Sequence, residues 1–105
     1  MAEEFSAKGL FDLTGRTIIV TGGAVGIGKV YSKALGEVGA NVVIADVAAE
    51  EGERLTQIIN QAGGSSVFIE TDVSDFKACQ AMAKTAVDNF GAIHGLINNG
   101  ALYAC

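Results

Sequence analysis

The sequence predicts an α/β fold, a parallel sheet wound on both faces by helices in the order β-α-β-α-β-α-β. Three observations carry this reading. Short β-branched runs alternate with segments of helical periodicity, the connections between them are brief, and glycine does all the punctuating. Fourteen glycines and no proline stand in the 105 residues. That pairing suits tight turns and close backbone approaches between regular elements. Strand–helix alternation with short links implies right-handed crossovers and a parallel sheet.

The first strand is read at residues 17–21, a β-branched run of the kind buried on both faces of a parallel sheet. A glycine cluster, Gly22 to Gly28, follows at once. The next apolar positions, Ile27, Val30, Tyr31, Ala34, Leu35 and Val38, have helical spacing and predict one buried stripe, with Lys29, Lys33 and Glu37 off it. Gly39 stops that helix. A second strand at 41–45 closes on Asp46. Residues 49–62 predict a helix with Leu55, Ile58, Ile59 and Ala62 inward, stopped by Gly63 and Gly64. A third strand covers 66–70. Ser74 is the expected N-cap of a helix from Asp75 to about Asn89, with Phe76, Cys79, Met82, Ala83, Ala86, Val87 and Phe90 on its stripe. After Gly91 a fourth strand runs from Gly95 to Asn98.

Composition bounds the function. Half the residues are apolar, 18% are charged and the formal net charge is −5. An acidic chain lacks the basic footprint of a nucleic-acid binder. Neither a secretory leader nor a membrane-length apolar run is visible, and Cys79 and Cys105 make no disulfide framework, so a cytoplasmic chain is expected.

The segment Thr21 to Gly28 lies where a phosphate site belongs, between the first strand and the first helix. A helix N-terminus offers unpaired N–H groups and the positive end of a dipole. The spacing Gly-x-Gly-x-x-Gly is not met, since the third glycine would fall at Tyr31; the pattern present is the wider Thr-Gly-x-x-x-Gly-x-Gly. Gly23 to Lys29 also fits the opening of a nucleoside-triphosphate P-loop. Val30 then stands where a hydroxyl must ligate magnesium, and as a member of the apolar stripe it reads as core. Lys29 reads as a solvated helix-face lysine. Asp46 follows the second strand, eighteen positions beyond Gly28. A carboxylate there can accept from an adenosine ribose 2′-hydroxyl and repel a 2′-phosphate, which points to NAD over NADP. The competing role is a turn aspartate that caps the second helix. Arg54 is placed further down that helix, away from the loop.

These residues resemble the short-chain dehydrogenase/reductases, NAD(P)-dependent oxidoreductases on the Rossmann fold. Thr21 to Gly28 is similar to the family's glycine motif and Asp46 to its NAD-selecting acid. Asp72-Val73 resembles the pair that meets the adenine. Asn98-Asn99 resembles the start of an Asn-Asn-Ala-Gly motif that steadies the sheet and touches the cofactor ribose. Leu13-Thr14-Gly15-Arg16 is similar to the family's lead-in, and about residues 1–14 are read as a lead-in segment ahead of the first strand. The resemblance runs from about Leu13 to Ala101 and departs from the family at Gly100-Ala101, where Ala-Gly is usual. It implies cofactor contacts at Gly22, Ala24, Val25, Gly26, Ile27, Gly28, Asp46, Val47, Asp72, Val73, Asn98 and Gly100. It also implies an alcohol or ketone substrate and a homo-oligomer for the complete enzyme.

The family's proton-transfer tyrosine, with a lysine four residues on, has no counterpart. Tyr31 is followed by Leu35, and it falls on the stripe read as packed; Tyr103 has no residue four positions later. No catalytic residue is therefore named. His94 reads as a loop histidine, Cys79 as a small core hydrophobe, and Glu50, Glu51 and Glu53 as a solvated first helical turn rather than a metal site. A full dinucleotide fold has six strands. With four, residues 1–105 are expected to form an incomplete NAD(P)-binding domain whose fourth strand is an open, association-prone edge. A non-catalytic dinucleotide-binding module is the alternative reading.

Overall fold

The computed structural model describes residues 11–100. Four strands and three helices alternate: β1 (Thr17–Thr21), α1 (Gly26–Glu37), β2 (Asn41–Asp46), α2 (Ala49–Gln61), β3 (Ser65–Glu70), α3 (Phe76–Phe90) and β4 (Gly95–Asn98). All pairings are parallel and the strand order is β3-β2-β1-β4. The sheet expected from the sequence is the sheet observed, with boundaries within a residue or so.

Because side chains alternate across a strand, β1 and β2 feed two cores. Val20, Val42 and Ile44 face α1 and α2, where Leu55 and Ile59 close one buried cluster. Ile19, Val43 and Ala45 face α3 and pack on Met82 and Ala86. Val20, Val42, Val43, Ile44 and Leu55 are fully buried. Each such side chain contributes about 1.5–3 kcal/mol relative to exposure. β4 has β1 as its only strand neighbour among the described residues, and Leu96 is left 56% exposed.

Helix α1 sits differently from its sequence expectation. Its buried residues are Gly28, Ser32 and Gly36, with Leu35 partly buried against the core. Ile27 and Val30 are each 65% exposed and Tyr31 is 43% exposed. The small residues let the helix backbone lie close to its neighbours, and a Cβ on Gly36 would come within 2.9 Å of the Ile59 side chain. Close approach wins over much of the apolar stripe: Ile27, Val30, Tyr31 and Ala34 are turned outward. Val30 and Tyr31 are therefore not core residues. Ile58, Ala62, Phe76 and Val87 are likewise exposed rather than inward.

The cap of α3 is also corrected. Asp75, not Ser74, is the N-cap, and its Oδ1 accepts from the backbone N–H groups of Lys77 (2.9 Å) and Ala78 (3.5 Å). Ser74 turns the other way and donates both its N–H and its hydroxyl to Asp72 Oδ1.

Candidate functional site

The carboxyl ends of β1, β2, β3 and β4 lie on one side of the parallel sheet, so the loops that follow them converge. The loop after β1 continues the ladder briefly: Gly22 and Gly23 donate to the Ala45 carbonyl at 2.7 and 3.4 Å. Its path is held from below by Ser32, fully buried, whose hydroxyl donates to the Gly23 carbonyl at 2.9 Å. Gly28 is also required by the loop's own packing. A Cβ there would lie 1.8 Å from the Gly22 carbonyl oxygen, so the loop folds onto its own helix only because Gly28 has no side chain.

The first turn of α1 is left open. Its N-cap, Val25, has no polar side-chain atom to offer, and no acidic residue stands in that turn. The contrast with α3, which Asp75 caps, is direct. Uncapped N–H groups and the dipole's positive end make the start of α1 suited to an anion. Gly26 forms the corner at φ +57, and a Cβ built there meets nothing within 4 Å.

Asp46 is 8% exposed at the end of β2. Its Oδ2 accepts from the Ala24 N–H at 3.0 Å and its Oδ1 from the Ala48 N–H at 3.1 Å. The carboxylate therefore ties the glycine loop to the turn that starts α2, where Ala48 is the N-cap residue. Each oxygen keeps a further lone-pair direction for a ligand hydroxyl.

Two residues do more here than the sequence showed. Thr21 Oγ1 accepts from the N–H groups of Asn99 (3.0 Å) and Gly100 (2.9 Å), and lies 3.1 Å from Asn98 Oδ1. Asn99 Nδ2 donates in turn to the Gly22 carbonyl at 3.3 Å. Thr21 and Asn99 thus clamp the loop after β4 onto the loop after β1. The Thr at the head of the glycine motif and the paired asparagines were the available signal. Gly100 sits close by; a Cβ there would lie 3.2 Å from Thr21 Oγ1 and 3.3 Å from Val73 Cγ1.

Two adjoining clefts open on this junction. One, about 290 Å³, is lined by Gly22, Asp46, Val47, Thr71, Asp72, Val73 and Gly100. The other, about 360 Å³, is lined by Gly22, Val25, Gly26, Ile27, Asp46, Asn99 and Gly100. Nine of the twelve residues expected at the site line one cleft or the other; of the remaining three, Ala24 enters through its bond to Asp46, Gly28 lies beneath Gly22, and Asn98 borders Thr21. The Ser74 hydroxyl, then the Ser74 N–H, hold the exposed Asp72 carboxyl below its ordinary value of 3.8. Cys79 Sγ, half-buried, donates to the Val73 carbonyl at 3.6 Å and steadies that turn.

A third groove, about 240 Å³, lies between α1 and α2 behind Ala24, Val25 and Gly26. Lys29, Glu51 and Arg54 line it, so Arg54 is beside the loop rather than away from it. Arg54 pairs with Glu50 at 3.2 Å, both exposed. Lys29 is exposed, as expected, and Glu50 and Glu51 stand exposed in the first turn of α2. No helix among the described residues is long and apolar enough to cross a membrane.

A parallel sheet with a glycine loop, an open helix N-terminus and an acid after the second strand defines a Rossmann-type nucleotide fold. Comparison with known proteins narrows the class. A family model described as short chain dehydrogenase matches residues 16–104. Glucose 1-dehydrogenase 2 of Bacillus subtilis is 40% identical over 89 residues, 84% of this chain and 34% of its own. A dehydrogenase/reductase from Sinorhizobium meliloti superposes with a TM-score of 0.84 at 35% identity, over 89% of this chain and 37% of that one. A metagenomic short-chain oxidoreductase solved in complex with NADP gives 0.80 at 31%, over 87% and 41%. The chain belongs to the short chain dehydrogenase family. It spans about a third of the length of the curated relatives it matches, 34% of the first.

Proposed function

We propose that these residues form the dinucleotide-binding part of an NAD-dependent oxidoreductase that interconverts an alcohol and a ketone. The observation that carries the reading is the convergence, around Gly22, of the uncapped start of α1, the Asp46 carboxylate and the Asn98–Gly100 turn. The cradle suits the cofactor: the corner at Gly26 is clear of side chains, and the clefts on either side of Gly22 share Asp46 and Gly100. Gly26, Ile27 and Gly28 would hold the pyrophosphate through their N–H groups, with Ala24 and Val25 shaping the loop. Asp46, beside Val47, would accept from the adenosine ribose. Asp72 and Val73 would flank the adenine, and Asn98 and Gly100 the far ribose. The bound nicotinamide supplies or accepts the hydride.

No proton-transfer pair is assigned within the described residues, since exposed Tyr31 has Leu35 four positions on. We therefore expect the 105-residue chain to bind the cofactor without oxidising alcohols; turnover by the purified chain would overturn this. A cytoplasmic, homo-oligomeric parent enzyme is part of the same proposal.

A second reading, NADP, has two supports: the metagenomic relative was solved with NADP, and Lys29 and Arg54 line the groove behind Val25. Fluorescence titration with NADH and NADPH decides between them. NADH should bind more tightly, and Asp46→Ala should abolish that preference. Tighter NADPH binding by the parent chain, weakened by Arg54→Ala, would overturn the NAD reading.

A further inference from the structure

The one histidine of the chain lies at the opposite end of β4 from the cleft, and it is not a passive loop residue. The regular β1–β4 ladder begins at Ile18 and Gly95. One position earlier the exchange continues in altered form. The His94 N–H donates to the Thr17 carbonyl at 2.8 Å, and the Thr17 N–H donates to His94 Nδ1 at 2.9 Å. An imidazole nitrogen stands in for a backbone carbonyl.

This arrangement depends on protonation. Nδ1 can accept only when the imidazole is neutral with its proton on Nε2; the imidazolium has two donors and no acceptor. Thr17 is fully buried, and its Oγ1 has no hydrogen-bond partner among the described residues. Protonating His94 would therefore leave the backbone N–H of Thr17 unpaired as well, in a buried place where that is costly. His94 itself is exposed, so a proton can reach it. Arg16, next to Thr17, is exposed; on α3, Lys84 and Asp88 pair with each other; β2 begins with uncharged Asn41; and His94 makes no ion pair among the described residues.

We propose that His94 is a proton-sensitive latch between β1 and β4. β4 has only four residues and β1 alone beside it, and its far end carries the Asn98–Gly100 turn that Thr21 clamps. Releasing the latch loosens the strand that positions one wall of the cleft. This consequence for the cleft rests on the dinucleotide reading above; the latch itself does not.

The test uses the ¹⁵N-labelled 105-residue chain. At pH 7.5 His94 should be the Nε2–H tautomer and the Thr17 amide protected from exchange. At pH 5.5 the protection factor of Thr17 should fall about five- to tenfold, the equivalent of one hydrogen bond, while amides of β3 keep theirs. His94→Asn, whose side-chain oxygen can accept but not titrate, should abolish the pH dependence; His94→Leu should give low protection at both values. A proton on Nδ1 at pH 7.5, a pH-independent Thr17, or an acid loss that survives in His94→Asn would overturn the latch. NADH titration of the same samples reads the coupling: affinity should fall in acid for the parent and not for His94→Asn. If NADH binds at neither pH the dinucleotide reading fails, yet the amide data still decide the latch.

Discussion

Gly28→Ala is the sharpest probe of how the loop is built. The added methyl would sit 1.8 Å from the Gly22 carbonyl oxygen and 2.7 Å from its carbon. Ordinary contact requires a retreat of about 1.5 Å. Gly22 cannot retreat alone, because its N–H is bonded to the Ala45 carbonyl at 2.7 Å and its carbonyl accepts from Asn99 at 3.3 Å. Giving up both bonds costs about 1–3 kcal/mol, and it separates the two loops that border the cleft. Gly26→Ala should fail for a different reason. Space is open there, but φ is +57, and an L side chain in that region costs about 1–2 kcal/mol. Asparagine tolerates the left-handed region better than alanine, so Gly26→Asn should recover part of the loss while Gly28→Asn recovers none. Urea unfolding of the four variants measures stability, and NADH titration measures the cleft. Gly28→Ala should lower affinity by about fivefold or more, following the same bond count. Unfolding free energy and affinity both unchanged in Gly28→Ala would refute the account of the loop.

Two further outcomes are expected. Asp75→Ala should destabilise the chain by about 0.5–2 kcal/mol through loss of the α3 cap, whereas Asp75→Ser should lose much less; urea unfolding distinguishes this from a cap at Ser74, for which Ser74→Ala would be the costly change. Asp72 should contribute an acid-dependent increment. Its pKa is depressed in the folded chain, so that contribution is present above the ordinary value of 3.8 and is lost as pH falls through the lower folded value. Full exposure keeps it small. Unfolding between pH 2.5 and 6 should show it in the parent and not in Asp72→Asn.

β1 and β2 were legible because each is a β-branched run close to glycine, and a parallel strand buried on both faces needs no alternation to be recognised. Thr17–Thr21 and Gly95–Asn98 fall where the sequence placed them. Helix α1 was legible in extent but not in orientation. Hydropathy counts side-chain carbon, and the face that packs is Gly28, Ser32 and Gly36, which have almost none. What decides the face is backbone proximity: Gly36 against Ile59, and Ser32 under Gly23. A periodicity argument has no access to that. The partners of Thr21, Asn99 and His94 were opaque for a related reason. Each acts on a residue more than seventy positions away, so its partner exists only once β4 is registered against β1.

The same register explains why the site falls where it does. From β1 the chain moves through α1 to β2 and then β3 on one side, and returns through α3 to place β4 on the other. Neighbouring strands β1 and β4 thus send their following segments in different directions, which leaves a crevice outside their carboxyl ends. Gly22, at the mouth of that crevice, is bonded to β2 through Ala45 and to the segment after β4 through Asn99. Asp46 adds the third tie by holding Ala24. The aspartate's structural and ligand-facing roles are therefore not rivals. Two backbone N–H groups fix its carboxylate, so on the proposed reading its remaining lone pairs would be aimed before a ribose arrived, and a ligand would not spend binding energy ordering that side chain. Asp46→Asn tests the point: the amide can still accept but cannot satisfy both N–H groups as a carboxylate does, so affinity and loop stability should fall together.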